Sequence, residues 1–295
     1  MIGDPAEGRY VAVADTRLWV LEMGEGHPIL VLHGGPGLDH TQFRPWLDPL
    51  AETFRLIYVD LRSQGRSDLA DPQTWSLERM AADIDELAGS LYLDSYAVLG
   101  HSFGSFVTLR NAVDSGRASH YVLMGSMPSA RWLNRTERNL REFEPEHLRD
   151  QVADAWDSET SVDTVDGFRR LLVDQLPFHF ADPEGPAMQE FAAAVPRMHL
   201  SPDVLRTFAN SDYGGIEVED ALPRVEKPVL VISAEWDRVA VPEAGWEIAE
   251  AVPNGECVLM KNAGHMMFVE KPDAVIKAIR DFFDRFPVGT SPPKA

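Results

Sequence analysis

The chain has 295 residues, of which 44% are apolar and 25% are charged, as expected of a globular protein with one large core. Its 47 acidic residues outnumber its 27 basic residues, which gives a formal net charge of −20 at pH 7. A charge of this sign repels phosphate groups, so it argues against nucleic acids and anionic membrane surfaces as partners. The length is compatible with two domains or with one α/β unit that carries an insertion.

The sequence offers no internal disulfide and no recognisable cofactor motif. Cys257 is the only cysteine, and no cluster of cysteines and histidines has the spacing of a zinc site. Neither a P-loop nor the dinucleotide-binding glycine pattern occurs, so we expect no metal and no cofactor. The first five residues lack the basic start of a signal peptide, and no uncharged run reaches the roughly 18 residues of a membrane helix. We therefore expect a cytoplasmic protein without membrane contact.

Short apolar runs typical of strands alternate with longer helical patterns along the chain. This alternation indicates an α/β protein with a mostly parallel central sheet flanked by helices. The first two strands are separated by a short turn and should form a hairpin. The predicted strands, in chain order, comprise residues 10–13, 18–22, 28–33, 55–60, 96–100, 121–124, 228–233 and 257–260.

Helical spacing of apolar residues predicts helices over residues 76–92, 103–113, 243–252 and 272–286. Ser76 is the expected N-cap of the first of these helices, and Pro272 suits the first turn of the last one. The final residues, 290–295, combine serine, threonine and two prolines and are predicted to be disordered.

The strand pattern stops after Met127 and resumes only at residue 228. The intervening stretch contains helix-like runs at 168–175 and 188–194, together with 19 acidic and 10 basic side chains. We interpret residues 127–225 as an inserted helical cap, and residues 1–126 and 226–295 as the core domain. Most of these acidic groups are expected on solvated helix faces, and those that face a binding site would favour cationic or free-amine ligands over anionic ones.

A glycine-flanked serine lies between a predicted strand and a predicted helix. The pentapeptide Gly100-His101-Ser102-Phe103-Gly104 fits the pattern G-x-S-x-G, in which a sharp strand-to-helix turn exposes the hydroxyl of a strained serine. Side chains at the two glycine positions would collide where the strand and the helix pass closely. The alternative is that Ser102 merely caps the helix, but an N-cap does not require both glycines.

A serine hydroxyl needs a base, and the base needs a carboxylate that holds it in position. Among the nine histidines, His265 follows the last predicted strand, where a loop can reach over the sheet towards Ser102. Asp237 follows the strand 228–233, which gives the chain order Ser, Asp, His. Glu235 is the alternative acid. Taken singly, Asp237 and His265 could equally be ordinary loop residues.

Two N–H donors should stabilise the negative charge on the carbonyl oxygen that is attacked. The amide of Phe103, directly after the serine, is one expected donor. The loop HGGPG at 33–37 supplies the second, for which we favour the amide of Gly35, because glycine lets the backbone approach a substrate closely. A glycine-rich loop could also bind phosphate, but this loop contains no lysine.

Together these motifs resemble the α/β-hydrolase superfamily, and the resemblance covers nearly the whole chain outside residues 127–225. The order HGGPG followed by DLRSQGRS is similar to the proline iminopeptidase branch of that superfamily. The features that carry the resemblance are HGGPG at 33–37, DLRSQGRS at 60–67, GHSFG at 100–104, Asp237 and the pair Gly264-His265.

The resemblance implies the α/β-hydrolase fold with Ser102 as nucleophile, His265 as base and Asp237 as orienting acid. It also implies that Gly35 and Phe103 form the oxyanion hole. We expect hydrolysis of an amide or ester bond in a small-molecule or short-peptide substrate, through an acyl-enzyme. The sequence predicts no particular oligomeric state.

Two departures leave the substrate class open. The proline iminopeptidase branch has glycine before the nucleophile and often tryptophan or tyrosine after it, whereas this chain has His101 and Phe103. That form also occurs among esterases and lactonases. Some members carry glutamate after the catalytic aspartate, where this chain has Arg238. The alternatives are therefore a carboxylesterase or lactonase acting on a small apolar ester, and a non-hydrolytic biosynthetic enzyme that uses the same triad.

Three residues beside the catalytic positions are predicted to bind substrate, namely Gly34, Trp236 and Met266. The predicted cap offers aromatic residues that could line a pocket: Trp132, Trp156, Phe178, Phe180 and Tyr213. Its carboxylates, which include Asp174, Glu190 and Asp203, could anchor a free amine. His101, His179 and His199 are expected to be structural or surface residues.

Overall fold

The computed structural model describes residues 8–288, and within them eight strands form one sheet. The predicted tail at 290–295 and the first five residues lie outside this range. The strand order is β1-β2-β4-β3-β5-β6-β7-β8. The strands are β1 (Arg9–Val13), β2 (Thr16–Met23), β3 (His27–Leu32), β4 (Phe54–Val59), β5 (Ala97–His101), β6 (His120–Met124), β7 (Val229–Ala234) and β8 (Gly255–Met260).

The sheet is mostly parallel, which confirms the predicted fold class. Strands β1 and β2 form the antiparallel hairpin expected from the sequence, and β2 also pairs antiparallel with β4. The remaining neighbours, from β4 and β3 through to β8, pair in parallel. Every residue of β5, β6 and β7 is buried, because helices cover both faces of the sheet there.

The four helices predicted outside residues 127–225 are found close to their predicted bounds, whereas the one-turn helix Met267–Glu270 was not predicted. The Ser76 hydroxyl accepts a hydrogen bond from the amide of Arg79 and caps the first helix, and Pro272 stands at the first turn of the last one. The helices outside the β6–β7 connection are α1 (Leu77–Ser90), α2 (Phe103–Asp114), α9 (Pro242–Ala251), α10 (Met267–Glu270) and α11 (Pro272–Arg285).

Alternate side chains of the central strands belong to two separate apolar cores. In β3, Ile29 and Val31 pack into the core that contains α11, whereas Leu30 and Leu32 pack into the core that contains α1 and α2. This alternation follows from the period of two in a strand and fixes the sheet between its helical layers.

The connection between β6 and β7 is helical, apart from an isolated bridge between Ser129 and Glu217. We refer to residues 127–225 as the helical segment. No helix within residues 8–288 is long and apolar enough to cross a bilayer. The α-helices of the segment are α3 (Leu133–Arg141), α4 (Arg149–Asp157), α5 (Val165–His179), α6 (Pro186–Ala194), α7 (Pro202–Ala209) and the single turn α8 (Asp212–Gly215).

Candidate active site

Ser102 occupies a sharp turn between β5 and α2, with φ 52° and ψ −122°. A positive φ is strained for a residue other than glycine, and such strain is common at functional sites. A Cβ atom at Gly100 would lie 2.2 Å from the carbonyl oxygen of Gly104, and one at Gly104 would lie 2.3 Å from that of Leu32. These distances confirm that the turn requires glycine at both predicted positions.

His265 and Asp237 are brought together after β8 and β7, as their positions in the sequence predicted. Nδ1 of His265 lies 2.8 Å from Oδ2 of Asp237, and both side chains are buried. Since a carboxylate only accepts hydrogen bonds, Nδ1 carries the proton and Nε2 carries a lone pair. The other carboxylate oxygen accepts hydrogen bonds from the amides of Val239 and Ala240, at 2.9 and 2.8 Å. Asp237 is therefore held by the backbone and fixes the ring of His265.

Ser102 and His265 line the same cavity, which has a volume of about 590 Å³. A volume of this size accommodates a small ligand. Space for the imidazole depends on Gly125, where a Cβ atom would lie 2.9 Å from Cε1 of His265. Ser102 and His265 therefore border the same cavity, although they are more than 160 residues apart in sequence.

Gly35 and Phe103, the predicted oxyanion donors, also line the cavity. Gly35 has φ 115°, a conformation that favours glycine, and a Cβ atom there would lie 2.8 Å from the amide nitrogen of Gly37. The amide of Phe103 belongs to the first turn of α2, where backbone N–H groups have no partner within the helix. Both backbone positions are therefore suited to hydrogen bonding with a ligand.

His101 connects the glycine-rich loop with the loop of His265. Its Nε2 donates to the carbonyl oxygen of His265 at 2.9 Å, so its Nδ1 accepts from Nε2 of Gln42 at 3.0 Å. The Oε1 atom of the same Gln42 accepts from the amide of Gly34 at 3.0 Å. Burial lowers the pKa of His101 well below its ordinary value, which keeps the ring neutral in this chain of hydrogen bonds. His101 is thus a structural residue that also borders the cavity.

Of the three residues predicted to bind substrate, the structure brings only Met266 to the cavity. A Cβ atom at Gly34 would lie 3.1 Å from Cβ of Ser102, so Gly34 packs against the turn instead of facing a ligand. Trp236 is 52% exposed, and its backbone amide bonds to the carbonyl oxygen of Ala263. Proximity in sequence to Gly35 and Asp237 was therefore not enough to place Gly34 and Trp236 in the cavity lining.

Among the described residues, 8–288, the charged side chains that line the cavity are all acidic, and no lysine or arginine borders it. Four carboxylates contribute, each from the helical segment: Glu137, Asp157, Glu159 and Asp212. The carboxylates considered from the sequence, Asp174, Glu190 and Asp203, do not line it. The sequence could not separate the two groups, because both lie in polar, acidic stretches.

Glu159 is the buried member of this acidic group, with 6% of its surface exposed. Its carboxylate accepts hydrogen bonds from the Tyr213 hydroxyl at 2.5 Å and from Nε2 of Gln175 at 2.7 Å. Burial raises the pKa of Glu159 from 4.5 to about 7, although both hydrogen bonds favour the charged form. Sequence reasoning missed Glu159 and Gln175, for which no local pattern gives a signal.

The aromatic residues of the helical segment divide into two groups. Trp156 and Tyr213 line the cavity, whereas Trp132, Phe178 and Phe180 do not. His179 lines the cavity too, contrary to the expectation that it is only a surface or packing residue. His199 remains outside it.

Arg238 does not face the cavity, although it directly follows Asp237. Its guanidinium donates to the carbonyl oxygen of Phe180 at 2.7 Å and lies over the ring of Phe143. The side chain therefore holds the end of α5 against the loop of Asp237.

Asp39, His40 and Asp60 are close enough together to be considered as metal ligands. Their oxygen atoms, however, already have partners: Oδ1 of Asp60 contacts Nδ1 of His40 at 2.6 Å, and Oδ2 accepts from the amide of Arg66 at 2.8 Å. The guanidinium of Arg66 also lies 2.7 Å from Oδ2 of Asp39. Arg66 thus supplies the positive charge that the cluster needs, and the donor set fits a structural network instead of a metal site.

Comparisons with known proteins give the family of the chain and similar folds. The profile described as "Alpha/beta hydrolase family" matches residues 29–278. A proline iminopeptidase of Xylella fastidiosa is 28% identical over an alignment of 314 positions, gaps included, which covers 94% of this chain and 97% of that protein. Similar solved structures include an alpha/beta fold family hydrolase from Bacillus anthracis, with TM-score 0.77, 17% identity and coverage of 94% and 99%. The proline iminopeptidase of Mycobacterium smegmatis has TM-score 0.75, 23% identity and coverage of 94% and 98%.

Proposed function

The chain belongs to the alpha/beta hydrolase family, and we propose that it is a serine hydrolase that cleaves the amide bond after a free-amine acyl group, as proline iminopeptidases do. One observation carries this proposal. Ser102, His265 and four carboxylates line one cavity that no lysine or arginine borders within residues 8–288. The helical segment would act as the cap that supplies these carboxylates.

In the first half of the reaction, Nε2 of His265 accepts the proton of the Ser102 hydroxyl while Oγ attacks the carbonyl carbon. Asp237 stabilises the imidazolium that forms, because its carboxylate contacts Nδ1 at 2.8 Å. The carbonyl oxygen becomes negatively charged and accepts hydrogen bonds from the amides of Gly35 and Phe103. The strained backbone of Ser102 and the position of Gly35 beside it support these roles.

Collapse of the tetrahedral intermediate breaks the carbon–nitrogen bond. His265 gives its proton to the leaving nitrogen, and the acyl group remains on Oγ of Ser102 as an ester. Water then enters, transfers a proton to His265 and attacks the ester carbon. The second collapse returns the proton to Ser102 and releases the carboxylic acid, so the enzyme is unchanged after each turnover.

The charge of the cavity supports a substrate with a positive amino group. Glu137, Asp157 and Asp212 are exposed carboxylates at the cavity, and buried Glu159 is partly ionised near neutral pH, so together they give the cavity a negative potential. An ammonium group gains from this potential, whereas a carboxylate beside the scissile bond is disfavoured. The volume of about 590 Å³ suits one or a few residues of a peptide.

A matched substrate panel tests the proposed function. Proline and other aminoacyl anilides with a free amine are compared with the same compounds carrying an N-acetyl group. We expect kcat/KM to be at least about 30-fold higher for the free amines, because loss of a buried charge pair costs about 2–5 kcal/mol and about 1.4 kcal/mol corresponds to a factor of ten. The Ser102→Ala variant, checked for folding by circular dichroism, should have no measurable activity above background.

Three results would overturn the proposal. Equal turnover of free and acetylated anilides would remove the argument for an amine-binding cavity. Efficient hydrolysis of short-chain p-nitrophenyl esters or lactones without any anilide activity would favour an esterase or lactonase. Full activity of Ser102→Ala would refute the nucleophile itself.

A further inference from the structure

His179, the last residue of α5, places its imidazole beside that of His265. The two ring centroids lie 5.6 Å apart, and both rings border the cavity. His179 stacks on Trp156 with a centroid separation of 5.7 Å and an interplanar angle of 19°. Its carbonyl oxygen accepts a hydrogen bond from the amide of Met266 at 3.2 Å. The ring is therefore held in place by the helical segment and by the loop of His265.

The hydrogen bonds of His179 define which nitrogen carries the proton. Nδ1 lies 3.0 Å from the carbonyl oxygen of Gln175, and a carbonyl can only accept, so Nδ1 is protonated and Nε2 has a lone pair. No donor to Nε2 is found within residues 8–288. Burial lowers the pKa of His179 to about 4, so the ring stays neutral and the lone pair stays available at neutral pH. An unpaired acceptor that borders a cavity is suited to an N–H group of a ligand.

We propose that Nε2 of His179 accepts a hydrogen bond from the N–H of the scissile amide and thereby positions the leaving nitrogen. This inference rests on the proposed function, in which His265 protonates that nitrogen. The leaving group must then lie next to His265. The His101 ring is nearer to it, at 4.7 Å between centroids, but both of its nitrogens are already in hydrogen bonds, so His179 offers the free acceptor. With ring centroids 5.6 Å apart, one nitrogen atom can lie about 3 Å from a nitrogen of each imidazole.

The hydrogen bond would control the direction of the nitrogen lone pair. In the tetrahedral intermediate the leaving nitrogen becomes pyramidal and carries one hydrogen, one lone pair and two carbon substituents. When the N–H points to His179, the lone pair is free to point to His265. The proton from Ser102 then passes through His265 to this lone pair as the carbon–nitrogen bond breaks, while the hydrogen on the His179 side stays on nitrogen.

An ester oxygen has no hydrogen to donate, so this hydrogen bond would favour amides over esters. His179 is accordingly a positioning residue that sets the reaction specificity. A purely structural role would instead affect both substrate classes equally, because both use the same serine, base and oxyanion donors.

The test compares a benzylamide with a benzyl ester that carry the same free-amine acyl group. His179→Phe keeps a ring against Trp156 but removes Nε2, and we expect kcat/KM for the amide to fall about 100-fold, as for other single transition-state hydrogen bonds. The ester should change by less than about threefold. His179→Gln, whose side chain can present an acceptor oxygen, should recover at least about tenfold of the amide activity. His147→Gln is the control, because His147 is exposed and contacts Glu184.

The N-methyl benzylamide provides an independent measurement with the unaltered enzyme. Wild type should prefer the N–H amide, and His179→Phe should lose most of that preference. His179→Leu replaces the phenylalanine variant if thermal melting shows that the latter is unfolded. Equal losses on amide and ester, or no recovery in His179→Gln, would overturn the role of His179 while the proposed function stands. Wild-type hydrolysis of the ester alone would overturn both the role of His179 and the proposed cleavage of amides, and inactivity on both compounds would do the same.

Discussion

Replacement of Glu159 by glutamine should change the pH dependence of stability. The side chain is 6% exposed, and burial raises its pKa from 4.5 to about 7. Between these values the unfolded chain releases the proton of Glu159 while the folded protein still holds it. Stability therefore falls as the pH rises through this window. The difference between the two pKa values corresponds to about 3 kcal/mol in the free energy of unfolding, at about 1.4 kcal/mol for each pH unit.

Glu159→Gln keeps the shape of the side chain and removes its titration. The amide oxygen of the new side chain can accept from Nε2 of Gln175, and its NH2 group can donate to the hydroxyl of Tyr213, which is both a donor and an acceptor. We expect the variant to gain roughly 2 kcal/mol relative to wild type when the pH is raised from 5 to 8, because part of the window lies below pH 5. The measurement is the free energy of unfolding from urea titrations at both pH values.

Glu190→Gln is the matched control, since it alters an exposed carboxylate of α6 that does not border the cavity. Its difference from wild type should be the same at pH 5 and pH 8. If Glu159→Gln also showed the same difference at both values, Glu159 would titrate alike in the folded and unfolded states. The burial argument for this carboxyl would then be refuted.

Two further variants test the turn and the triad. Asp237→Asn should lower kcat about 10⁴-fold with an unchanged circular dichroism spectrum, since the histidine loses its orienting carboxylate; a loss below tenfold would contradict this role. Gly104→Ala should lower the melting temperature strongly, because the new Cβ atom would lie 2.3 Å from the carbonyl oxygen of Leu32. Gly89→Ala, in α1, is its control and should leave the melting temperature unchanged or higher, because nothing lies within 4 Å of the added atom. Equal melting temperatures of the two variants would contradict the steric argument.

The sequence predicted the sheet because its strands are marked by local patterns. The run Val229–Ala234 is almost wholly apolar and becomes a strand that is buried at every position. Gly100 and Gly104 could be recognised because the close contact between them involves only β5 and α2, which are consecutive in sequence. His265 and Asp237 could be placed because they follow predicted strands, and the ends of parallel strands meet at one edge of a sheet.

The lining of the cavity could not be predicted, because it depends on how distant helices pack. Glu159 and Tyr213 are 54 residues apart in sequence, yet their side chains form a hydrogen bond. No periodic pattern in the sequence predicts that bond. Trp236 shows the converse, since a position next to Asp237 does not determine which way a side chain points in a turn. His179 likewise reads as an ordinary histidine at a helix end until its ring is seen beside His265.

Covalent capture of the acyl group on Ser102 is the most direct test of the proposed chemistry. A free-amine anilide or ester is mixed with the enzyme, the reaction is quenched with acid during turnover, and the peptides are analysed by mass spectrometry. We expect the peptide that contains Ser102 to gain the mass of the acyl group, and the Ser102→Ala variant to show neither this adduct nor turnover. Turnover by wild type without any adduct on Ser102, together with undiminished activity of Ser102→Ala, would contradict hydrolysis through a seryl acyl-enzyme.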